Sequence, residues 1–221
     1  MRKVVIIGAG GFAREVLDVL EAVNNVDATY EILGFIVDPQ YAKPGTILND
    51  KPVLGGFDWL EAHREEVLAI CGVGAPDLRY RMVARARSAG VRFFSVIHPG
   101  ATLTRWTTIG EGTIITAGCI LTNRIRIGDH VQVNLDCTVG HDAAIGDFVT
   151  LAPGVHVSGN VTLGEGASVG TGANIIEKKT VGAWSTLGAG TTVILDVPDN
   201  STVVGVPGKV VKTRPAGWHS G

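Results

Sequence analysis

The chain has 221 residues, of which 45% are hydrophobic and 18% charged, with a formal net charge of −2 and a pI near 6.3. A slightly acidic chain without a run of Lys and Arg has no basic surface for nucleic acid, so we expect no nucleic-acid partner. The longest apolar run near the N-terminus, Val4–Ile7, is too short for a signal peptide or a membrane span. The odd number of cysteines, 3, indicates a reducing compartment, and we expect a cytoplasmic protein.

The first stretch of the chain has the pattern of a nucleotide-binding α/β unit. A buried strand at Lys3–Ile7 leads into the glycine-rich turn Gly8–Ala13 and then into an amphipathic helix. Strand, glycine turn and helix in this order form the phosphate loop of Rossmann-type folds, where the helix N-terminus offers free N–H groups to a phosphate. A turn with a purely structural role is the alternative interpretation.

The elements that follow are those of half a dinucleotide-binding fold. They are a strand at Glu31–Val37 ending in Asp38, a short helix within Leu54–Glu66, a strand at Val67–Cys71 followed by Gly72-Val73-Gly74, a helix at about Asp77–Ala89 and a strand at Val91–Val96. Half a fold suits one nucleotide better than a whole NAD, and Asp38 lies where an acidic residue meets a ribose hydroxyl. Pro99-Gly100 marks a boundary, so we predict domains at 1–94 and 95–221.

From Ile97 to Val193, every sixth residue is Ile, Leu or Val. The positions are Ile97, Leu103, Ile109, Ile115, Leu121, Ile127, Val133, Val139, Ile145, Leu151, Val157, Leu163, Val169, Ile175, Val181, Leu187 and Val193. A hexapeptide period predicts a parallel β-helix in which three hexapeptides close one triangular coil, so that residues n and n+18 stack about 4.8 Å apart. Glycine directly after many of these aliphatics, as at Gly140, is interpreted as a corner residue with positive φ. Small residues two positions before the aliphatics predict a second inward site, and Cys119 should stack on Cys137.

One corner of the predicted coil carries the titratable pair His141-Asp142. The register of eighteen residues places His141 against Gly159, which has no side chain, and this leaves room for a ligand. An imidazole can accept a proton at neutral pH, and an adjacent carboxylate can fix its tautomer. The N–H of Gly159 is a candidate donor to an oxyanion. A hydrogen-bonded corner histidine without a catalytic role is the alternative.

The histidine spacing argues against a metal site. Hexapeptide prisms that bind zinc, such as the gamma-class carbonic anhydrases, need three histidines that include a closely spaced pair. Among the 6 histidines of this chain the smallest separation, between His130 and His141, is 141 − 130 = 11 residues, and no two lie eighteen apart. We therefore expect no metal.

Together these features resemble the bacterial sugar acetyltransferases, the group of sialic acid O-acetyltransferases and UDP-4-amino-sugar N-acetyltransferases. The resemblance covers the whole chain and includes the closing segment Val203-Val204-Gly205-Val206-Pro207-Gly208-Lys209. It implies an α/β Rossmann-like half-domain followed by an all-β left-handed parallel β-helix. The left hand comes from the resemblance alone, because a period of six does not set it.

The resemblance also implies roles for individual residues. His141 would be the general base, and Asp142 would sharpen its basicity. The nucleotide-sugar would be held by Gly10, Gly11, Phe12, Val37, Asp38 and Gly74, with Asn134 meeting the sugar. Acetyl-CoA, the cosubstrate, would lie in the groove between two subunits of a homotrimer, beside Thr150, Gly159, Thr171 and Ala189.

The expected reaction is direct transfer of the acetyl group to the amine of a nucleotide-linked 4-amino-4,6-dideoxy sugar, a step of glycan biosynthesis. No covalent acetyl-enzyme is expected, because Cys119 and Cys137 should face inward. Three alternatives stay open: O-acetylation of sialic acid or a related sugar, acylation of serine by another type of hexapeptide transferase, and a non-catalytic nucleotide-sugar-binding protein. The Rossmann-like half-domain argues against the serine acyltransferase.

Overall fold

A computed structural model describes residues 1–220, which begin with an α/β unit. Its elements are β1 (Arg2–Ile7), α1 (Gly11–Val26), β2 (Tyr30–Ile36), β3 (Ile47–Leu48), β4 (Lys51–Gly55), α2 (Phe57–Ala62), β5 (Leu68–Cys71), α3 (Pro76–Ser88) and β6 (Arg92–Phe93). The sheet order is β3-β4-β2-β1-β5-β6, and every neighbouring pair is parallel except the hairpin β3–β4. The carboxyl ends of β1, β2 and β5 therefore meet at one edge of the sheet.

Helices cover both faces of this sheet, as a parallel sheet requires. The amphipathic helix α1 buries Val16, Leu17 and Leu20 against Val4 and Ile6 on one face. On the other face, the alternate residues of β1 pack with α2 and α3. The glycine turn between β1 and α1 is thereby fixed at the strand ends.

The predicted α/β elements agree with the structure except at two places. The hairpin β3–β4 was not predicted. The single strand predicted at Val91–Val96 is wrong, because the chain changes sheets there. Residues Arg92–Phe93 extend the first sheet as β6, whereas Val96–Ile97 is β7 and pairs with the β-helix. Between them Phe94 still bonds to the first sheet, and Ser95 already donates to Gly110 O of the β-helix.

The remainder of the chain forms a parallel β-helix with three faces. Face 1 contains β7 (Val96–Ile97), β10 (Ile114–Ile115), β13 (Gln132–Val133), β16 (Thr150–Leu151), β19 (Ser168–Val169), β22 (Thr186–Leu187), β24 (Ser201–Val204) and the antiparallel β25 (Lys209–Thr213). Face 2 contains β8 (Thr102–Leu103), β11 (Ile120–Leu121), β14 (Thr138–Val139), β17 (His156–Val157), β20 (Asn174–Ile175) and β23 (Thr192–Val193). Face 3 contains β9 (Thr108–Ile109), β12 (Arg126–Ile127), β15 (Ala144–Ile145), β18 (Thr162–Leu163) and β21 (Thr180–Val181). A 3-10 helix, Trp218–Ser220, follows.

The pairing confirms the predicted register of eighteen residues. Along face 1, for example, Ile115 pairs with Val133 and Val133 with Leu151. The aliphatic second residue of each strand points into the prism and is buried from Ile115 onward. The second inward site is also confirmed, since Cys119 and Cys137 are fully buried beside each other and both thiols are free. The core is thus a column of stacked aliphatic and small side chains.

The interpretation of the glycine after each aliphatic as the positive-φ corner is wrong. Positive φ occurs two residues later, for instance at Asp142 (φ 59°) rather than at Gly140. The glycine is needed for a different reason, because a Cβ at Gly140 would lie 2.5 Å from the backbone nitrogen of Gly159 in the next coil. Close approach of successive coils, not backbone strain, excludes a side chain there.

The α/β unit covers face 1 of the prism and leaves the other two faces open. The outward residues Val96, Ile114, Gln132 and Thr150 of face 1 are buried. On faces 2 and 3 most outward residues are exposed or half-buried. No helix within residues 1–220 has the length and apolar character needed to cross a membrane.

His130 is a fully buried imidazole with no hydrogen-bond partner on either nitrogen within the described residues. Its ring stacks on Phe148 at 5.2 Å and meets the edge of Phe93 at 4.8 Å. Burial, with smaller contributions from Arg87 and Arg79, lowers the pKa of His130 to about 3, although Asp129 acts to raise it. The fold therefore requires the neutral ring.

We predict that His130 makes the protein sensitive to acid. The pKa of His130 in the folded protein lies below its value in the unfolded chain, so the neutral ring contributes stability that is complete above the unfolded pKa. This contribution is lost as pH falls towards the folded pKa, by about 2 kcal/mol at pH 5. In His130→Phe the difference in unfolding free energy between pH 8 and pH 5, measured by urea denaturation, should shrink by that amount. Phe148 occupies the same corner position one coil further on, so the backbone accepts this side chain. An unchanged pH dependence in the variant would contradict the prediction.

Candidate functional site

A cavity of about 480 Å³ opens at the carboxyl ends of β1, β2 and β5. Ligands of open α/β sheets bind at this edge. Among the cavity-lining residues are six of the seven that the family resemblance associated with the nucleotide-sugar, namely Gly10, Gly11, Phe12, Val37, Asp38 and Gly74, but not Asn134. The fold therefore brings together segments that are more than sixty residues apart in the chain.

The glycines of this cavity fall into two classes. Gly8 has φ +103°, and a Cβ at Gly72 would lie 2.6 Å from Ala13 Cα, so the fold itself requires both glycines. At Gly10, Gly11 and Gly74 an added Cβ would meet nothing within 4 Å, and none of the three has a positive φ. Packing within the chain does not explain these three glycines. Their missing side chains leave the backbone open to whatever enters the cavity.

The sequence did not identify the apolar wall of the cavity. This wall includes Tyr41 from the loop after β2, Phe57 of α2, and Leu78 and Met82 of α3. Leu78 and Met82 are one helical turn apart and so share a face of α3, a spacing that could have indicated them. Tyr41 is 77% exposed and comes from a loop without a periodic pattern. The aromatic rings and apolar side chains of this wall suit the base of a nucleotide, and the glycine N–H groups on the opposite side suit its phosphate.

His141 lies at the corner between faces 2 and 3, with its side chain 62% exposed. Its Nδ1 lies 2.9 Å from Asp142 Oδ2, so the predicted pair is in contact. Asp142 Oδ1 also lies 3.3 Å from Nε of Arg124. A Cβ at Gly159 would lie 2.8 Å from His141 Nε2, which shows that the imidazole extends over this glycine. With Nδ1 donating to the carboxylate, Nε2 is the proton acceptor.

The N–H of Gly159 has no acceptor within residues 1–220. At the corner between faces 3 and 1, the equivalent N–H groups of Glu111 and Asp129 donate to a carboxylate one coil further on, at 2.9 and 2.8 Å. Gly159 makes no such bond. A free backbone donor thus lies beside the free nitrogen of His141, an arrangement suited to stabilising an oxyanion next to a base.

The other expected site residues do not lie at this corner. Asn134 is at the corner between faces 1 and 2, where its Nδ2 donates to Leu151 O at 2.6 Å. Thr171 and Ala189 are exposed at the same corner, further along the prism. Thr150 is buried on face 1, and its hydroxyl donates to Gly74 O at 3.0 Å. Within one chain, the width of face 2 separates Asn134, Thr171 and Ala189 from His141. Within residues 1–220, no three His, Cys, Asp or Glu side chains converge as metal ligands.

Comparison with known proteins gives a family match and similar structures. The family model of the PglD N-terminal domain matches residues 3–86. A mutant of perosamine N-acetyltransferase from Caulobacter crescentus, solved with CoA and GDP-perosamine, is 32% identical over 96% of this chain and 98% of its own, with a TM-score of 0.85. The acetyltransferase domain of PglB from Neisseria gonorrhoeae, solved with acetyl coenzyme A, is 34% identical over 95% and 99%, with a TM-score of 0.87. WeeI from Acinetobacter baumannii is 29% identical over 96% and 100%, with a TM-score of 0.85. No curated protein sequence matches the chain.

The two classes of glycine predict different effects of alanine substitution on stability. Gly10→Ala, Gly11→Ala and Gly74→Ala should keep the thermal midpoint of the parent, because the new methyl meets no atom of the chain. Gly72→Ala, the matched control, should lose about 1–3 kcal/mol because the methyl collides with α1. Differential scanning calorimetry measures both effects. A large loss in Gly74→Ala would show that packing, and not an open cavity, explains this glycine.

Proposed function

We propose that this chain, which belongs to the bacterial sugar acetyltransferases built on a left-handed β-helix, acetylates the amine of a nucleotide-linked 4-amino-4,6-dideoxy sugar. It is an acyltransferase, and acetyl-CoA is the acetyl donor. The similar enzyme from Caulobacter crescentus is a perosamine N-acetyltransferase, which favours transfer to nitrogen. The observation that carries the proposal is the His141–Asp142 pair beside the free N–H of Gly159.

The corner supplies a base and an oxyanion donor at adjacent points. Asp142 accepts the Nδ1–H of His141 and leaves Nε2 to take a proton from the sugar amine as it attacks the thioester carbonyl. The N–H of Gly159 then stabilises the tetrahedral oxyanion. The carbon–nitrogen bond forms, the carbon–sulfur bond breaks, and the protonated His141 returns its proton to the departing thiolate. No covalent acetyl-enzyme forms, since Cys119 and Cys137 are fully buried in the prism.

The cavity at the strand ends holds the nucleotide. The helix α1 begins at Gly11, and its N-cap residue, Gly10, has no side chain that could cap the N–H groups of the first turn. Its free N–H groups and the open backbone at Gly10, Gly11 and Gly74 suit a diphosphate. The carboxylate of Asp38 suits a ribose or base donor, and the apolar wall suits the base itself.

The active site is shared between copies of the chain in a homotrimer. A separate cavity of about 180 Å³ lies between α1 and the corner of faces 1 and 2, and Leu135, the residue that follows Asn134, is one of those that line it. His141 faces the other side of face 2, so a neighbouring copy must supply it. The exposed side chains of Ile120 (47%) and Leu135 (42%) on this surface support the contact. Acetyl-CoA would lie in the groove, between Gly159 of one copy and Thr171 and Ala189 of the next.

Replacing His141 should slow turnover strongly without abolishing binding. We expect His141→Ala to lower kcat by about 10²–10⁴-fold because the amine loses its base. Thiol release from acetyl-CoA is measured with UDP-, dTDP- and GDP-linked 4-amino-4,6-dideoxy sugars, sialic acid and CMP-sialic acid. His63→Gln, at the end of α2, is the histidine control. A kcat within tenfold of the parent would exclude the base, and release with sialic acid alone would move the activity to O-acetylation.

Mixed trimers test the shared site. His141→Ala lacks the base and Gly11→Leu blocks the nucleotide cavity, so each variant alone should be inactive. Co-expressed with different tags and purified through both, they should recover about a third of the parent activity, because one of the three interfaces in every mixed trimer combines two intact halves. Homogeneous trimers of each variant are the controls. No recovery would place the whole site within one chain.

A further inference from the structure

Arg79 of α3 is a fully buried arginine at the seam between the α/β unit and the prism. Its guanidinium donates to Val73 O (2.8 Å), Gly74 O (3.0 Å), His130 O (2.9 Å), Phe148 O (2.6 Å), Val149 O (3.3 Å) and Thr150 Oγ1 (2.9 Å). Every acceptor is a carbonyl or a hydroxyl, and within the described residues no carboxylate lies within ion-pair distance. Burial lowers the pKa of Arg79 to about 10, so the group stays charged at neutral pH.

Stability alone is a poor explanation for this side chain. Burying a charge without a charged partner is costly, and apolar residues of similar volume commonly serve as well or better. The bonds of Arg79 instead have a specific geometric result. They fix the carbonyls of Val73 and Gly74 towards the prism.

Two residues of face 1 hold the same turn. Gln132 is fully buried, and its Nε2 donates to Cys71 O at 3.1 Å and Val73 O at 3.0 Å. The hydroxyl of Thr150 donates to Gly74 O at 3.0 Å. Arg79, Gln132 and Thr150 together therefore hold the carbonyls of Cys71, Val73 and Gly74.

The opposite side of the turn faces the nucleotide cavity. In a trans peptide the C=O and N–H point in opposite directions, so fixing Val73 O and Gly74 O aims the N–H groups of Gly74 and Ala75 away from the prism. Neither N–H has a backbone acceptor within residues 1–220. Gly74 lines the cavity, and the position of its absent side chain is empty.

We infer that Arg79 is a positioning residue for the nucleotide-sugar: with Gln132 and Thr150, it orients the turn Gly72–Gly74 so that its N–H groups face the ligand. The inference rests on the proposed function of the cavity. Arg79 touches neither substrate nor cosubstrate, and its effect reaches the ligand through the turn. The prism thereby shapes a binding site whose lining residues all belong to the α/β unit.

A second arginine of α3 is the matched control. Arg87 also joins α3 to the prism, through Glu111 at 3.1 Å and Asp129 at 3.2 Å, but it does not touch the turn. If these arginines only hold the two parts of the chain together, both should affect ligand binding equally. If Arg79 orients the turn, only its replacement should weaken nucleotide binding.

The test is isothermal titration of the full-length protein with UDP, GDP and dTDP, and separately with CoA. We expect Arg79→Met to weaken nucleotide binding about tenfold or more, Gln132→Met about threefold to tenfold and Arg79→Lys to an intermediate degree, because each loses fixed donors to the turn. CoA binding should stay within twofold in all of them, and Arg87→Met should match the parent for both ligands. In turnover, the KM for the sugar should rise while the KM for acetyl-CoA stays constant.

The outcomes separate this inference from the proposed function. Folded Arg79→Met and Gln132→Met proteins that bind nucleotide as the parent does would overturn the positioning role and leave the enzyme assignment intact. If Arg79→Met does not fold, as judged by circular dichroism and thermal melting, Gln132→Met decides the question. A parent that binds CoA but none of the three nucleotides would overturn both the nucleotide cavity and the role of Arg79.

Discussion

The structure depends on one constraint, the stacking of each coil on the next in a register of eighteen residues. Parallel backbone hydrogen bonds form along the prism only in this register, as between Leu121, Val139 and Val157 on face 2. The same register that stacks aliphatic side chains in the core places His141 against Gly159 at the corner. A side chain at position 159 would occupy the volume of the imidazole. The geometry of the candidate catalytic corner therefore follows from the packing rule of the whole prism.

The left-handed backbone at the corners adds a second constraint. The sequence meets it either with a residue that tolerates this conformation or with a side chain whose burial compensates for it. From Ile109 to Leu187, the third residue after each aliphatic has a left-handed φ, a region that Gly, Asn and Asp tolerate better than other residues. Asp142 occupies this position at φ 59° and brings its carboxylate to 2.9 Å from His141. One residue thus satisfies the turn and orients the ring. Phe148 and Trp184 adopt the same conformation at another corner, where Tyr80 of α3 packs against both rings and burial compensates.

The sequence revealed what repeats and missed what does not. Period and register were readable because each aliphatic position has one environment, and His141 was identifiable as an exception within that pattern. The role of the glycine at Gly140 was misjudged, because a period cannot tell a left-handed residue from one that lies against the next coil. Tyr41 comes from a loop, and Arg79 bonds backbone carbonyls 51 to 70 residues away, so no residue pattern indicates either. The register already implied that Asn134 and His141 lie at different corners of the prism. How the two could serve one site depends on the second chain of the proposed trimer.

The arrangement of the three faces determines where the second chain of the proposed trimer can bind. Face 1 is covered by the α/β unit of the same chain, and the corner between faces 3 and 1 is covered by α3 and the 3-10 helix through Tyr80, Trp184 and His219. Of the two open faces, face 3 presents polar outward residues, Thr108, Arg126, Thr162 and Thr180, which are exposed and hydrate well. The outward residues of face 2 are also mostly polar, but they include the large apolar side chain of Ile120, which is 47% exposed and loses contact with water favourably in an interface. Because the α/β unit occupies face 1, face 2 is the face left for a neighbour in the proposed trimer, and a neighbour there would bring His141 of one copy to the sugar held by another.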